Sequence, residues 1–188
     1  MTRDAGLVIR SDDERPPNPA SRTTTAIALA VATAGGVGYV PVAPGTFGSA
    51  VGLLAWWLLG PSAVVQGIGI ITLFAAGVWS GGVCEGHFCR TDPGQVVIDE
   101  VMGMLITLFL NPVGWLGALA AFLLFRIADV IKPFPADRLE SLHGGVGVMA
   151  DDGMAAVYAN LALRVCIWLS GHLAIWSLIV RSTNPMIK

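Results

Sequence analysis

At 188 residues the chain is long enough for one domain, yet 54% of it is hydrophobic and only 13% charged, against roughly 25% charged in soluble proteins. A mean hydropathy of +0.69 points to lipid as the solvent, and a net charge of −2 leaves no electrostatic footprint for nucleic acid. Three cysteines cannot complete a disulfide framework, so an ordinary cytosolic enzyme, a nucleic-acid binder and a disulfide scaffold are all poor descriptions.

Residues 1–22 are Pro-rich and crowded with charge, and they read as a disordered cytosolic tail ahead of a single membrane-embedded domain, 23–188. Nothing ionises from Thr23 through Cys84. Thr23 to Val40 predicts a short helix broken by glycines, entering a structured, turn-rich segment, Pro41 to Ser49. Ala50 to Leu59 and Val64 to Ser80 predict a helix hairpin divided at Gly60-Pro61. Val96 to Leu110 and Val113 to Val130 predict a second, divided at Asn111-Pro112, and Asp152 to Leu169 with His172 to Val180 a third, hinged at Ser170-Gly171. The expected fold is all-α, a compact membrane-embedded bundle of helix hairpins, although several runs are short for about 30 Å of hydrocarbon. Trp56, Trp57, Trp115, Trp168 and Trp176 suit interfacial or lipid-facing anchors.

The hairpin tips carry no formal charge, whereas the opposite connections hold Glu85 to Arg90, Asp92 and the stretch from Arg126 to Asp152. Antiparallel hairpins therefore gather nearly all ionisable groups on one polar face, which Arg90, Arg126, Lys132, Arg138 and the arginines of the tail mark as cytoplasmic. On that face Asp99 and Glu100 open a helix, Arg126, Asp129 and Lys132 form a stripe at i, i+3, i+6, and a flexible Gly-rich loop after His143 delivers Asp151 and Asp152. Helix capping alone also accounts for acids at helix starts. Five carboxylates with only Arg126 and Lys132 beside them repel one another unless a cation is bound, and hard oxygen ligands without a Cys/His set select Mg²⁺. Arg and Lys suit phosphate oxygens, and Gly45, Thr46 and Ser49 sit where a helix N-terminus could receive phosphate, with an N-cap and turn as the plainer reading. His143 is equally readable as a phosphate contact or a turn residue.

The four segments Pro41 to Ser49, Asp92 to Glu100 with Gly103, Phe125 to Pro135 and His143 to Asp152, in that order, resemble bacterial phosphatidylglycerophosphatase A over about Gly38 to Asn160. The resemblance implies a helical, Mg²⁺-dependent phosphatase of the bacterial inner membrane that converts phosphatidylglycerophosphate to phosphatidylglycerol, with the acidic motifs as its active site. Asp99, Glu100, Asp129, Asp151 and Asp152 are then the catalytic and metal candidates, and Arg126, Lys132, Gly45, Thr46, Ser49 and His143 the phosphate candidates. An acid-lined transporter and a CDP-alcohol phosphatidyltransferase are the alternatives. The first would scatter its charges through the membrane, and the second expects an Arg that Asp152-Gly-Met-Ala-Ala-Val lacks. Cys84 to Arg90 has the spacing of a cysteine phosphatase loop, but Glu85 would intrude on an anion cradle, and Cys84, His87 and Cys89 lack a clear fourth ligand for zinc.

Overall fold

The computed structural model describes residues 19–183, apart from 140, 141 and 143, and the described residues contain helices and turns but no strand. In chain order the helices are α1 (Pro19–Ala32), α2 (Pro44–Leu59), α3 (Ala63–Phe88), α4 (Ile98–Leu108), α5 (Trp115–Ile131), the single turn α6 (Ala136–Leu139) and α7 (Gly145–Thr183). Their ends follow local chemistry. Pro44 supplies a pre-set φ in the first turn of α2, Gly60 at φ 68 ends that helix, and the Ser62 hydroxyl accepts the Val65 N–H to start α3.

Short as it is, α4 is the axis of the bundle. It is buried along Ile98, Asp99, Val101 to Leu105, Thr107 and Leu108, and α2, α3, α5 and α7 pack around it. Contact with α2 is made through Gly45, Gly48 and Gly52, spaced to share one helical face. A Cβ at Gly52 would lie 2.6 Å from Met104 Cβ and 2.7 Å from the Val101 carbonyl oxygen, which neither backbone can relieve without separating the helices. Gly52→Ala is therefore expected to destabilise by about 1–3 kcal/mol, overriding the ~1 kcal/mol that Ala gains over Gly inside a helix. A thermal midpoint in detergent that stayed at the wild-type value would show that α2 lifts away without cost.

α2, α4 and α7 run away from the charged end, and α3 and α5 run back towards it. Trp115 at the start of α5 meets Trp56 and Trp57 near the end of α2, with ring centroids 6.3 and 6.4 Å apart. This places the aromatic cluster at the far end, as expected of the Gly60-Pro61 and Asn111-Pro112 reversals. Two helices, Ala63–Phe88 and the Gly145–Gly171 part of α7, are long and apolar enough to cross a bilayer, and most of each is left uncovered by the rest of the protein. Pro44–Leu59 is apolar but shorter.

Four expectations need correction. α1 begins at Pro19, inside the stretch expected as tail, while 1–18 lie outside the described residues. α2 starts at Pro44, so most of the supposed loop is its first turns. The Gly-rich segment before Asp151 is helical from Gly145, because α3 crosses there so closely that a Cβ at Gly145 would overlap the Val78 carbonyl. Finally, α7 passes through Ser170-Gly171 as one helix, since glycine weakens a helix without breaking it when no proline follows.

Candidate active site

Three helix ends supply the charged residues of this site. Asp99 and Glu100 lie in the first turn of α4, Arg126 and Asp129 in the last turns of α5, and Asp151 and Asp152 in the second turn of α7. Asp99, Glu100 and Asp152 each place a carboxylate oxygen within 4.8 Å of the others. All three are largely withdrawn from solvent, and Glu100 Oε2 and Asp152 Oδ2 are buried without a hydrogen-bond partner. The Glu100 N–H donates to Asp99 Oδ1 at 3.0 Å, which fixes the first acid against the helix start. Burial, with Glu100 and Asp152 close by, pushes the Asp99 carboxyl well above the ordinary carboxylate range. Burial also raises Glu100, against the lowering pull of its hydrogen bond with Asp99 and of Arg126. Buried acids held this close, with oxygens lacking donors, fit a hard divalent cation bound through oxygen.

Cationic groups flank this trio. Arg126 Nη1 lies 2.8 Å from Asp129 Oδ2 and 3.7 Å from Glu100 Oε1, so the guanidinium borders the carboxylates and remains partly exposed. Asp129 is within hydrogen-bonding reach of Asp152 and joins the edge of the cluster. Asp151 departs from expectation: its Oδ2 pairs with Lys132 Nζ at 2.7 Å and its Oδ1 accepts the Asp152 N–H, which turns it away from the trio. Asp152 alone of the α7 pair joins the trio, because the Lys132 ion pair holds the Asp151 carboxylate elsewhere. Lys132, expected on phosphate, ties the end of α5 to α7 through the same ion pair.

Of the phosphate candidates on α2, Gly45 abuts the cluster, and a Cβ there would overlap Glu100 Oε1 and lie 3.1 Å from Arg126 Nη1. Ala43 caps α2 in the left-handed conformation with no side-chain hydrogen bond, so the positive end of the helix has no capping side chain of its own beside Glu100 and Arg126. Thr46 is half-buried in that first turn, its N–H donating to the Ala43 carbonyl. Ser49 is fully buried one turn deeper, and its hydroxyl donates to the Gly45 carbonyl within α2. His143 lies outside the described residues.

The family model for phosphatidylglycerophosphatase A matches residues 30–167. The chain belongs to the phosphatidylglycerophosphatase A family. Like that family it is an enzyme, a phosphatase. It is 36% identical over 138 residues to the Haemophilus influenzae phosphatidylglycerophosphatase A, covering 68% of this chain and 81% of the relative. The Escherichia coli phosphatidylglycerophosphatase A is 34% identical over 133 residues, covering 65% and 73%. A Bacteroides thetaiotaomicron protein provisionally named a phosphatidylinositol-3-phosphatase is 36% identical over 151 residues, covering 75% and 94%. No solved structure matches significantly. The segment matched to phosphatidylglycerophosphatase A contains every described residue of the acidic cluster and its cationic border.

Supporting residues escaped the sequence reading. Glu85, near the end of α3, accepts the N–H groups of Asp92 at 3.3 Å and Gly144 at 2.9 Å, joining the loop before α4 to the start of α7. The segment around it was expected as a connection, but it is helical to Phe88 with Cys84 in the core, so neither a thiolate cradle nor a zinc site forms there. Asn160 of α7 donates through Nδ2 to the carbonyls of Ile106, Thr107 and Phe109 at 2.9, 3.0 and 2.9 Å, and Arg164 joins it on Phe109 at 3.3 Å. Arg164 is thus a charge at the far end, which was expected to carry none. The available signal was an Asn and an Arg at i, i+4 inside an apolar run.

Proposed function

We propose that the protein hydrolyses the terminal phosphomonoester of phosphatidylglycerophosphate with the help of Mg²⁺, at the cytoplasmic face of a bacterial inner membrane. The observation that carries this reading is the buried trio of Asp99, Glu100 and Asp152, with two oxygens lacking any donor, bordered by Arg126 and the uncapped start of α2. The family relatives supply the substrate. Two long apolar helices largely uncovered by protein support membrane embedding, and the gathering of Arg90, Arg126, Lys132 and Arg138 at the end that holds the acids supports its orientation.

Asp99, Glu100 and Asp152 would hold the ion. When bound, Mg²⁺ supplies Lewis-acid stabilisation of charge on the phosphoryl oxygens. Arg126, oriented by Asp129 and Glu100, receives the non-bridging oxygens, and the positive end of α2 at Gly45 borders the same anion. Asp129, outside the trio and partly exposed, takes a proton from the attacking water as the new P–O bond forms. The bond to glycerol then breaks, and the departing oxygen receives the proton. Acyl chains stay in the apolar phase, so only the headgroup reaches the acids.

Phosphate release from phosphatidylglycerophosphate by the purified protein tests the reading, with phosphatidylinositol 3-phosphate as the competing substrate. Expected are activity with Mg²⁺, loss on chelation and preference for the first lipid. Activity indifferent to chelation would overturn the metal assignment. A second readout needs no turnover. Because the folded state raises the carboxyls of Asp99 and Glu100, their contribution to stability is fully present below the unfolded carboxylate pKa of about 4 and is lost as pH rises towards the folded values. A bound cation removes that loss, so the rise in thermal midpoint on adding Mg²⁺ should grow from pH 5 to pH 8. A rise that shrank with pH would count against these ligands.

A further inference from the structure

An apolar groove of about 460 Å³ opens beside the acidic cluster, between α3 and α7. Its floor is Met102 and Ile106 of α4, its walls include Ile71 and Phe74 of α3 and Met149 and Val157 of α7, and its lining carries no charged side chain. Two of its helices, α4 and α7, also carry the acids. Met102 lies one turn beyond Asp99, while Ala150 and Gly153, both lining the groove, bracket Asp151 and Asp152 in sequence. At Gly153 a Cβ would meet only Met102 Cε, at 3.6 Å, so the groove is uncrowded next to Asp152 in sequence.

We propose that this groove holds one acyl chain of the lipid substrate while its phosphorylated headgroup lies on the acidic cluster. Nearness to the acids, within one helical turn on both α4 and α7, singles out this occupant. A second groove of similar size, about 480 Å³ and equally apolar, lies between α2 and α3, but its residues, such as Leu58, Val65 and Ile68, come from the ends of those helices remote from the acids. The chemistry of the lining also fits. Met102, Met149 and Met154 give half of the chain's six methionines to this one groove, and unbranched, polarizable side chains adapt to hydrocarbon of varying length and unsaturation. Moving a chain from bilayer to an apolar groove changes its surroundings little, so the groove acts chiefly by aligning the phosphoryl group with Arg126 and the carboxylates.

The proposal rests on the acidic cluster being the headgroup site. It is tested with full-length protein in mixed micelles, on phosphatidylglycerophosphates of increasing chain length from dihexanoyl to dipalmitoyl. Val157 and Ile71 are exposed and face each other across the groove, so Val157→Trp and Ile71→Trp fill it from opposite walls. For the wild type kcat/KM should rise with chain length. Each of the two variants should flatten that rise, losing about tenfold at dipalmitoyl and little at dihexanoyl. Ile68→Trp, in the other groove, should leave the rise intact. Wild-type chain-length dependence in both groove-filling variants, equal loss at every length, or equal flattening by Ile68→Trp would each overturn the proposal. Failure of the underlying site reading would look different, since Asp152→Asn would then release phosphate from every member of the series.

Discussion

Asp152→Asn is expected to lower phosphate release from phosphatidylglycerophosphate by about a thousandfold while the protein keeps its fold. Asn preserves the shape of the side chain, so the packing of α7 against α4 is unchanged. What disappears is one of three acids whose oxygens gather within 4.8 Å, together with an oxygen that lacks any donor. Without metal the variant should melt no lower than the wild type, because a source of mutual repulsion has gone. With Mg²⁺ the wild type should gain stability and the variant should gain almost none. Near-normal turnover in Asp152→Asn, or a full Mg²⁺-dependent rise in its melting temperature, would remove Asp152 from the ion's ligands.

Gly45→Ala should show the opposite balance between activity and stability from Gly52→Ala, although both lie on the same face of α2. The methyl group at 45 would overlap the end of the Glu100 side chain, which can swing away, and helix propensity returns up to ~1 kcal/mol. Stability should therefore stay within about 1 kcal/mol of the wild type. A swung Glu100 no longer faces Asp99, Asp152 or Arg126, so kcat/KM should fall roughly a hundredfold. At Gly52 the obstacles are a backbone carbonyl and the Cβ of Met104, neither of which can rotate out of the way. Thermal unfolding and phosphate release measured on both variants separate the two effects, and a Gly45→Ala enzyme of full activity would show that Glu100 is dispensable.

How much of this could be read from the chain depended on the range of the interaction. Asn111-Pro112 and Gly60-Pro61 are local signals, and at these two turns the helices stop and restart within two residues of the expected positions, whereas α3 runs on to Phe88 past the expected Ser80. Charge segregation was legible for the same reason. Apolar runs cannot hold acids without cost, so Asp99, Glu100, Arg126, Asp129 and Asp152 had to meet at one end, and they do. Which acids face inward was hidden, because the separation of Asp151 from Asp152 depends on the rotation of α7 about its axis. That rotation is set by contacts such as Gly77 and Gly81 against Met149 and Gly145. The glycines after His143 likewise read as flexibility, when the close crossing of α3 requires Gly145 within a helix and the Leu142 carbonyl leaves no room for a Cβ at Gly147.

Asn160 bears on how a collection of inactive variants ought to be interpreted. Its three hydrogen bonds end on carbonyls of Ile106, Thr107 and Phe109, and Asp152 precedes it by eight residues, as Asp99 precedes Thr107. Two parallel helices pegged at one end thus share a common ruler of about 12 Å, and moving the peg shifts the mark at the other end. A mutational survey scored on growth would group Asn160 with the acids, though it never approaches the lipid headgroup.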